Sequence, residues 1–163
     1  MNIKYLISYS GLVPFIYLII DLYFLGHHNT EFVNDIAIYM SCIIYTFIGA
    51  YNWDFNKNNI FLELHGFLPS LLSMLILLFN LFEFNQVLIL STIILLLLIQ
   101  LIIDLYVTLK GYFPMDYYIK LRIPVTGTLC ISLYLISGTL WLHIKASTTI
   151  NINILTCDVW AFF

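Results

Sequence analysis

The sequence predicts an all-α fold: a polytopic membrane bundle of about five transmembrane helices, followed by an extended C-terminal tail. Composition is the first reason, because 62% of the 163 residues are hydrophobic and only 9% are charged, whereas about a quarter of an average soluble domain is charged. The second reason is run length, since a helix needs about 20 apolar residues to cross a hydrocarbon core about 30 Å thick. Five such runs lie between turn signals, and they predict helices over residues 6 to 25, 35 to 51, 60 to 82, 87 to 109 and 123 to 144.

Polar segments set the ends of these helices. The first helix stops at Gly26, and the second stops in the polar stretch of residues 52 to 59. The third is extended back to Ile60 because the uninterrupted apolar run that follows is short for a membrane crossing. The fourth is the most apolar and ends before Lys110. The fifth begins beside Pro124, where a proline suits a first helical turn because no intrahelical N–H is lost there.

Two features predict how the helices bend and pack. Pro14 is the only proline that we expect deep within a span, and it predicts a kink because proline lacks the N–H of a regular helix. Small residues let two helix backbones approach closely. We therefore expect close helix contacts at Gly49 and Ala50, and again at Gly127 and Gly138.

The chain divides into two parts in this prediction, a five-helix transmembrane domain over residues 1 to 145 and a tail over residues 146 to 163. Apolar and polar residues alternate from Ile150 to Ile154, which is the period of an extended strand. No other strand is predicted to pair with this one, so a partner protein is the simplest acceptor of its edge. The candidate partner-docking residues of the tail are Ile150, Ile152, Ile154, Trp160 and Phe162.

Basic residues predict the orientation in the membrane. One face collects Lys4, Lys57, Lys110, Lys120 and Arg122, whereas the other face has Lys145 alone. By the positive-inside rule the N-terminus lies on the matrix or cytoplasmic side and the C-terminus lies on the opposite side. The net charge of −3 includes no basic patch that could neutralise a phosphate backbone, so nucleic acid is not an expected partner.

Nothing in the sequence predicts an enzyme or a cofactor. The three cysteines, Cys42, Cys130 and Cys157, have no spacing typical of a zinc or redox site. The histidines fall in or beside loops, or near the headgroups, and not one turn inside facing helices where haem ligands lie. Motifs for nucleotide binding, zinc proteases and serine hydrolases are missing. We expect no catalytic residue, no metal ligand and no bound cofactor.

Charged residues inside apolar runs are the strongest candidates for a specific role, since each costs about 2.5–3.5 kcal/mol near the bilayer centre. Asp21 lies near the outer end of the first helix and Asp104 near the inner end of the fourth, so the two acids are not expected to act as a pair. Asp104 lies at the depth of Arg122. We predict a structural polar pair between Asp104 and Arg122 that clamps the turn joining the fourth and fifth helices.

Further polar residues could gather with Arg122 at the inner face, namely Asn52, Trp53, Glu63 and His65. One interpretation is an interfacial belt with a tryptophan anchor and snorkelling charges. The other is a pocket for a lipid headgroup, a quinone or another small ligand. Glu63 and His65 stand two apart on a helix, so they do not point the same way.

Several stretches occur in an order that resembles one known family. They are Gly-Leu-Val-Pro-Phe at 11 to 15, Phe-Ile-Gly-Ala at 47 to 50 with Trp53, Pro-Ser-Leu-Leu at 69 to 72, Asp104, and Tyr-Ile-Lys-Leu-Arg-Ile-Pro-Val-Thr at 118 to 126. Together they resemble the transmembrane protein 69 family of bacterial inner-membrane and mitochondrial proteins, whose function is unknown. This chain has Asn52 where the family typically has a histidine, and its tail extends past the usual end. The resemblance implies a location and a helix count, and no activity.

The expected function is that of a non-catalytic accessory or assembly subunit in a larger energy-transducing complex, respiratory or other, of an inner membrane. Its partners would be the lipid bilayer and other membrane-protein subunits. One alternative is a small transporter or channel that uses Asp21, Pro14 and the polar loops as a path. The other is a membrane-embedded ligand- or quinone-binding protein.

Overall fold

The computed structural model describes residues 3–51, 60–112 and 114–138. In that part of the chain the regular structure is helical, and no strand occurs. The predictions for Asn52, Trp53 and the tail over residues 146 to 163 lie outside the described residues. The helices run over Ile3–Ser10, Val13–Ile20 with a π-helical continuation Asp21–Leu25, Thr30–Tyr51, Ile60–Leu81, Gln86–Leu109, and Met115–Gly138.

Five helices in the described residues are long and apolar enough to cross a membrane, which confirms the predicted fold class. We call them the first to fifth spans in chain order. The fourth has the highest mean hydropathy, 2.7, in agreement with the sequence. Their bounds are Ser8–Leu25, Thr30–Ala50, Glu63–Leu81, Gln86–Leu109 and Met115–Gly138.

The predicted start of the fifth helix is wrong. The helix begins at Met115, directly after Pro114, whose extended backbone (φ −70°, ψ 135°) precedes the first turn. Counting apolar residues placed the start at Ile123 because charged residues interrupt the run just before it. Because the helix begins at Met115, Arg122 is a helical residue. A charged side chain can lie inside a span when it has a partner.

The second helix also begins earlier than predicted, at Thr30. The Asn29 side chain accepts a hydrogen bond from the Glu31 N–H at 3.3 Å, and the Asn29 carbonyl accepts one from the Val33 N–H. This is the geometry of a helix N-cap. A polar cap and first turn extend the helix beyond its apolar run.

Prolines shape two spans. The first helix is interrupted between Ser10 and Val13, beside Pro14, where a kink is predicted. Pro69 lies inside the third helix, so the expectation that Pro14 is the only proline deep within a span is wrong. Pro69 packs against the second span: a Cβ atom on Gly49 would come within 2.7 Å of the Pro69 ring.

The first and fifth spans run side by side in the same direction. The Tyr9 hydroxyl donates to the Lys120 carbonyl at 2.8 Å, and the Tyr23 hydroxyl donates to the Leu135 carbonyl at 3.2 Å. The core between the spans contains Phe15, Ile38 and Leu97, each with no exposed surface. Many large apolar side chains face outward, as expected when lipid surrounds a bundle.

Candidate functional site: a buried polar junction beside a cavity

Arg122 and Asp104 form an ion pair inside the bundle. Arg122 Nε lies 3.2 Å from Asp104 Oδ2, and the two residues are 6% and 4% exposed. A second guanidinium nitrogen of Arg122 donates to the Ile48 carbonyl at 3.1 Å. The two side chains that the sequence singles out as a pair are therefore in contact. Because Arg122 is helical, they join the second, fourth and fifth spans and not only the turn.

His65 and Gln100 extend this pair to the third span. Gln100 Nε2 lies 2.9 Å from His65 Nε2 and 3.2 Å from Asp104 Oδ1, while His65 Nε2 lies 3.4 Å from the same Asp104 oxygen. An amide NH₂ group has two hydrogens to donate, and it can serve both neighbours only if His65 Nε2 accepts. In this arrangement His65 Nε2 accepts from the Gln100 amide, a role inferred from the hydrogen-bond network. We call His65, Gln100, Asp104 and Arg122 the polar junction.

Each element of the junction has a local structural reason. Gln100 and Asp104 are four residues apart on one helix, so they share a face. Arg122 ends a π-helical segment, Tyr118–Arg122, which shifts the direction of the side chains around it. Tyr118 from the same segment is 6% exposed, and its hydroxyl donates to the Leu101 carbonyl at 3.2 Å. The Tyr117 ring centroid lies 5.7 Å from Arg122 Cζ, within range of a cation–π contact.

The predicted inner-face cluster is only partly assembled in the described residues. His65 is 5% exposed and belongs to the junction, whereas Glu63 is only partly buried, two residues earlier in the helix. Gln100 was missed by the sequence reasoning. Its signal was a lone amide in an apolar run, four residues before Asp104.

A cavity adjoins the junction between the first, second and fifth spans, with a volume of about 480 Å³. Arg122 belongs both to the junction and to the cavity wall. The interruption of the first helix contributes Gly11 and Pro14 to the lining. Most of the wall is apolar, and its polar side chains are Ser8, Ser10, Tyr117, Arg122 and Thr126.

Two further polar groups lie away from the junction. Asp21 has no exposed surface, and its carboxylate lies 3.0 Å from His28 Nδ1 and 3.6 Å from His27 Nδ1. Asp35 accepts hydrogen bonds from the side-chain amides of Asn80 and Gln86 at 3.1 and 2.9 Å. Asp21 and Asp104 therefore have separate partners, as the sequence predicts.

Known proteins give no independent assignment. No family model, curated protein or solved structure matches this chain. The resemblance to the transmembrane protein 69 family thus stays a prediction. In the residues that the structure describes, no group of three or more histidine, cysteine and acidic side chains could hold a metal ion. The chemistry of the site follows from the junction and the cavity.

Proposed function

We propose that this chain is a non-catalytic integral membrane protein that serves as an accessory or assembly subunit of a larger energy-transducing complex in an inner membrane. The observation that supports it is the polar junction. Its charged and amide groups contact one another across four spans, which is how polar side chains hold membrane helices together. A side-chain set directed inward in this way stabilises a scaffold.

Isolation from the native membrane tests the accessory role. A tagged chain extracted in mild detergent should migrate as a particle much larger than a monomer, and its partner subunits should be present in fixed stoichiometry. A monomer with no stoichiometric partner would contradict the proposal.

Changes in the tail locate the docking segment. The triple variant Ile150→Ser, Ile152→Ser, Ile154→Ser should release the partners, because an inserted strand uses its apolar side chains for recognition. A matched control, Asn151→Ser with Asn153→Ser, changes the alternate positions and should keep them. Both variants should melt at the temperature of the unchanged protein, so that loss of partners is separated from unfolding.

Location and family are parts of the same proposal. The resemblance to the transmembrane protein 69 family favours a mitochondrial or bacterial inner membrane, and the basic residues favour an N-terminus on the matrix or cytoplasmic side. A small transporter or channel remains an alternative proposal, testable by flux in liposomes. The other alternative, a ligand- or quinone-binding protein, is favoured by the cavity beside Arg122.

A further inference from the structure

We infer that the cavity between the first, second and fifth spans binds an uncharged membrane amphiphile whose head carries a hydrogen-bond-accepting carbonyl group. The inference rests on the ligand-binding alternative above and does not require the accessory role. The cavity volume of about 480 Å³ lies within the roughly 300–1,000 Å³ of typical small-molecule sites. Such sites are mostly apolar with a few converging polar groups, which is the composition of this wall.

The route to the cavity favours a ligand that comes from the bilayer. Ile43 and Phe47 line the cavity, yet they are 50% and 71% exposed on the surface of the second span. A wall residue that is exposed on an apolar flank of the bundle marks an opening toward lipid. The ligand should therefore partition into the membrane, with an apolar part that packs against these side chains.

Thr126 supplies a hydroxyl for the head of the ligand. It lines the cavity and is 4% exposed. The neighbouring Thr128 hydroxyl donates to the Pro124 carbonyl at 2.8 Å, and Ser132 donates to the Thr128 carbonyl in the same way. For the Thr126 hydroxyl no hydrogen bond to another residue of the described ranges is found. This hydroxyl is therefore available to donate to an acceptor group bound in the cavity.

Electrostatics decide the charge of the head. Arg122 is a strong donor on the cavity wall, but the Asp104 carboxylate lies 3.2 Å from its Nε and balances its charge. An anionic head that approached the guanidinium would also meet the negative charge of Asp104 in a medium of low dielectric constant. A neutral carbonyl oxygen accepts hydrogen bonds without that repulsion. Quinones and acylglycerols both present this chemistry.

Binding to the purified full-length chain tests the inference. In neutral detergent, the protein is titrated by calorimetry with a decyl-substituted benzoquinone, a monoacylglycerol and palmitate. We expect saturable binding of one or both neutral probes, and whichever of them binds identifies the source of the carbonyl group. Binding of palmitate more tightly than either neutral probe would overturn the assignment of an uncharged head.

Three variants separate the head from the cavity. Thr126→Val removes the hydroxyl and should weaken binding about 2- to 10-fold, the usual effect of one hydrogen bond. Thr128→Val is the matched control on the exposed side of the same helix and should bind as the unchanged protein does. Val125→Phe places a ring in the cavity beside Thr126 and should abolish binding, and its melting temperature separates this loss from unfolding.

The outcomes distinguish the two levels of the proposal. Binding that is lost in Val125→Phe but unchanged in Thr126→Val would keep a ligand site and overturn the inferred contact with the head. Saturable binding of no probe to the unchanged protein would overturn both the inferred ligand and the ligand-binding alternative. The accessory role would stand or fall separately, on co-purification.

Discussion

The Arg122–Asp104 pair places two opposite charges inside the bundle, and each is tolerated because the other is there. Removal of one partner leaves the other buried without compensation, which typically costs about 3–5 kcal/mol. We expect Arg122→Ala to destabilise the protein by about that amount in unfolding by denaturing detergent. Lys120→Ala is the matched control, since its contact with Asp116 joins side chains that are 64% and 80% exposed. Such exposed pairs contribute less than about 1 kcal/mol.

A double variant checks the reason for that cost. Asp104→Leu combined with Arg122→Met removes both charges and retains apolar volume, so it should recover most of the stability that Arg122→Ala loses. Equal stability of Arg122→Ala and the unchanged protein would show that the pair does not hold the spans together.

Gln100 tests the hydrogen-bond logic of the junction. Gln100→Leu keeps a similar volume but removes the donor that serves both His65 Nε2 and Asp104 Oδ1. Buried acceptors that lose their donor typically cost about 1–3 kcal/mol. Thr92→Val, on an exposed face of the same span, should change stability by less than about 0.5 kcal/mol. Detergent unfolding measures both, and an equally small effect of Gln100→Leu would contradict the role of Gln100 as the shared donor of the junction.

The residues of the junction differ in how far the sequence could predict them. Asp104 and Arg122 are charges in or beside apolar runs at one depth, and the cost of burying charge predicts that they find each other. Gln100 carries no charge and has no such constraint, so its position between His65 and Asp104 follows only from the packing of two helices. The sequence does not predict a role for Thr126 either, because a threonine in a helix normally bonds to its own backbone.

At the level of helices, Gly49 fixes how closely the second and third spans approach. A Cβ atom there would lie 2.8 Å from the Gly66 carbonyl oxygen and 2.7 Å from Pro69 Cγ, both closer than real contacts allow. Gly49→Ala should force these spans apart and lower stability by about 1–3 kcal/mol. Gly127→Ala is the control, since no described atom lies within 4 Å of its added methyl group. It should be neutral or stabilising by up to about 1 kcal/mol, because alanine favours helices.

The small residues also show which helix contacts the sequence can predict. The close contact expected at Gly49 is present. The contacts expected at Gly127 and Gly138 are not found among the described residues. A glycine indicates room for a neighbour, but the neighbour's identity, here Pro69, depends on the register of two helices. Equal melting temperatures of Gly49→Ala and Gly127→Ala would contradict the close helix contact at Gly49.

The helix boundaries were predictable where composition alone sets them. The fourth span closely matches its predicted range because a long apolar run with polar ends defines both ends of a helix. The starts of the second and fifth helices were missed, since an Asn29 cap and a buried Arg122 place polar residues inside helices. The length of an apolar run indicates how much of a helix can contact lipid. It does not detect a polar residue that is satisfied by its own helix or by a neighbour.

For the whole molecule, the buried position of Arg122 changes the argument about orientation. A side chain paired with Asp104 inside the bundle is not an interfacial charge, so it should not count toward the positive-inside rule. Lys110 and Lys120 remain on that face as exposed residues of the described chain, beside Lys4 and Lys57 in the sequence. The face that joins the fourth and fifth spans is therefore still the more basic one. It should face the cytoplasm or matrix.

Single cysteines placed in the loops test this orientation and the crossing of the fourth span together. In a background with Cys42, Cys130 and Cys157 replaced by alanine, Phe82→Cys lies between the third and fourth spans, and Tyr112→Cys lies between the fourth and fifth. The fourth span lies between these two sites, so they should be on opposite sides of the membrane. In intact bacterial cells a membrane-impermeant maleimide should label Phe82→Cys, whereas Tyr112→Cys should react only after the cells are permeabilised. Labelling of both sites from outside would mean that the fourth span does not cross, and the reverse pattern would mean that the basic face points outward.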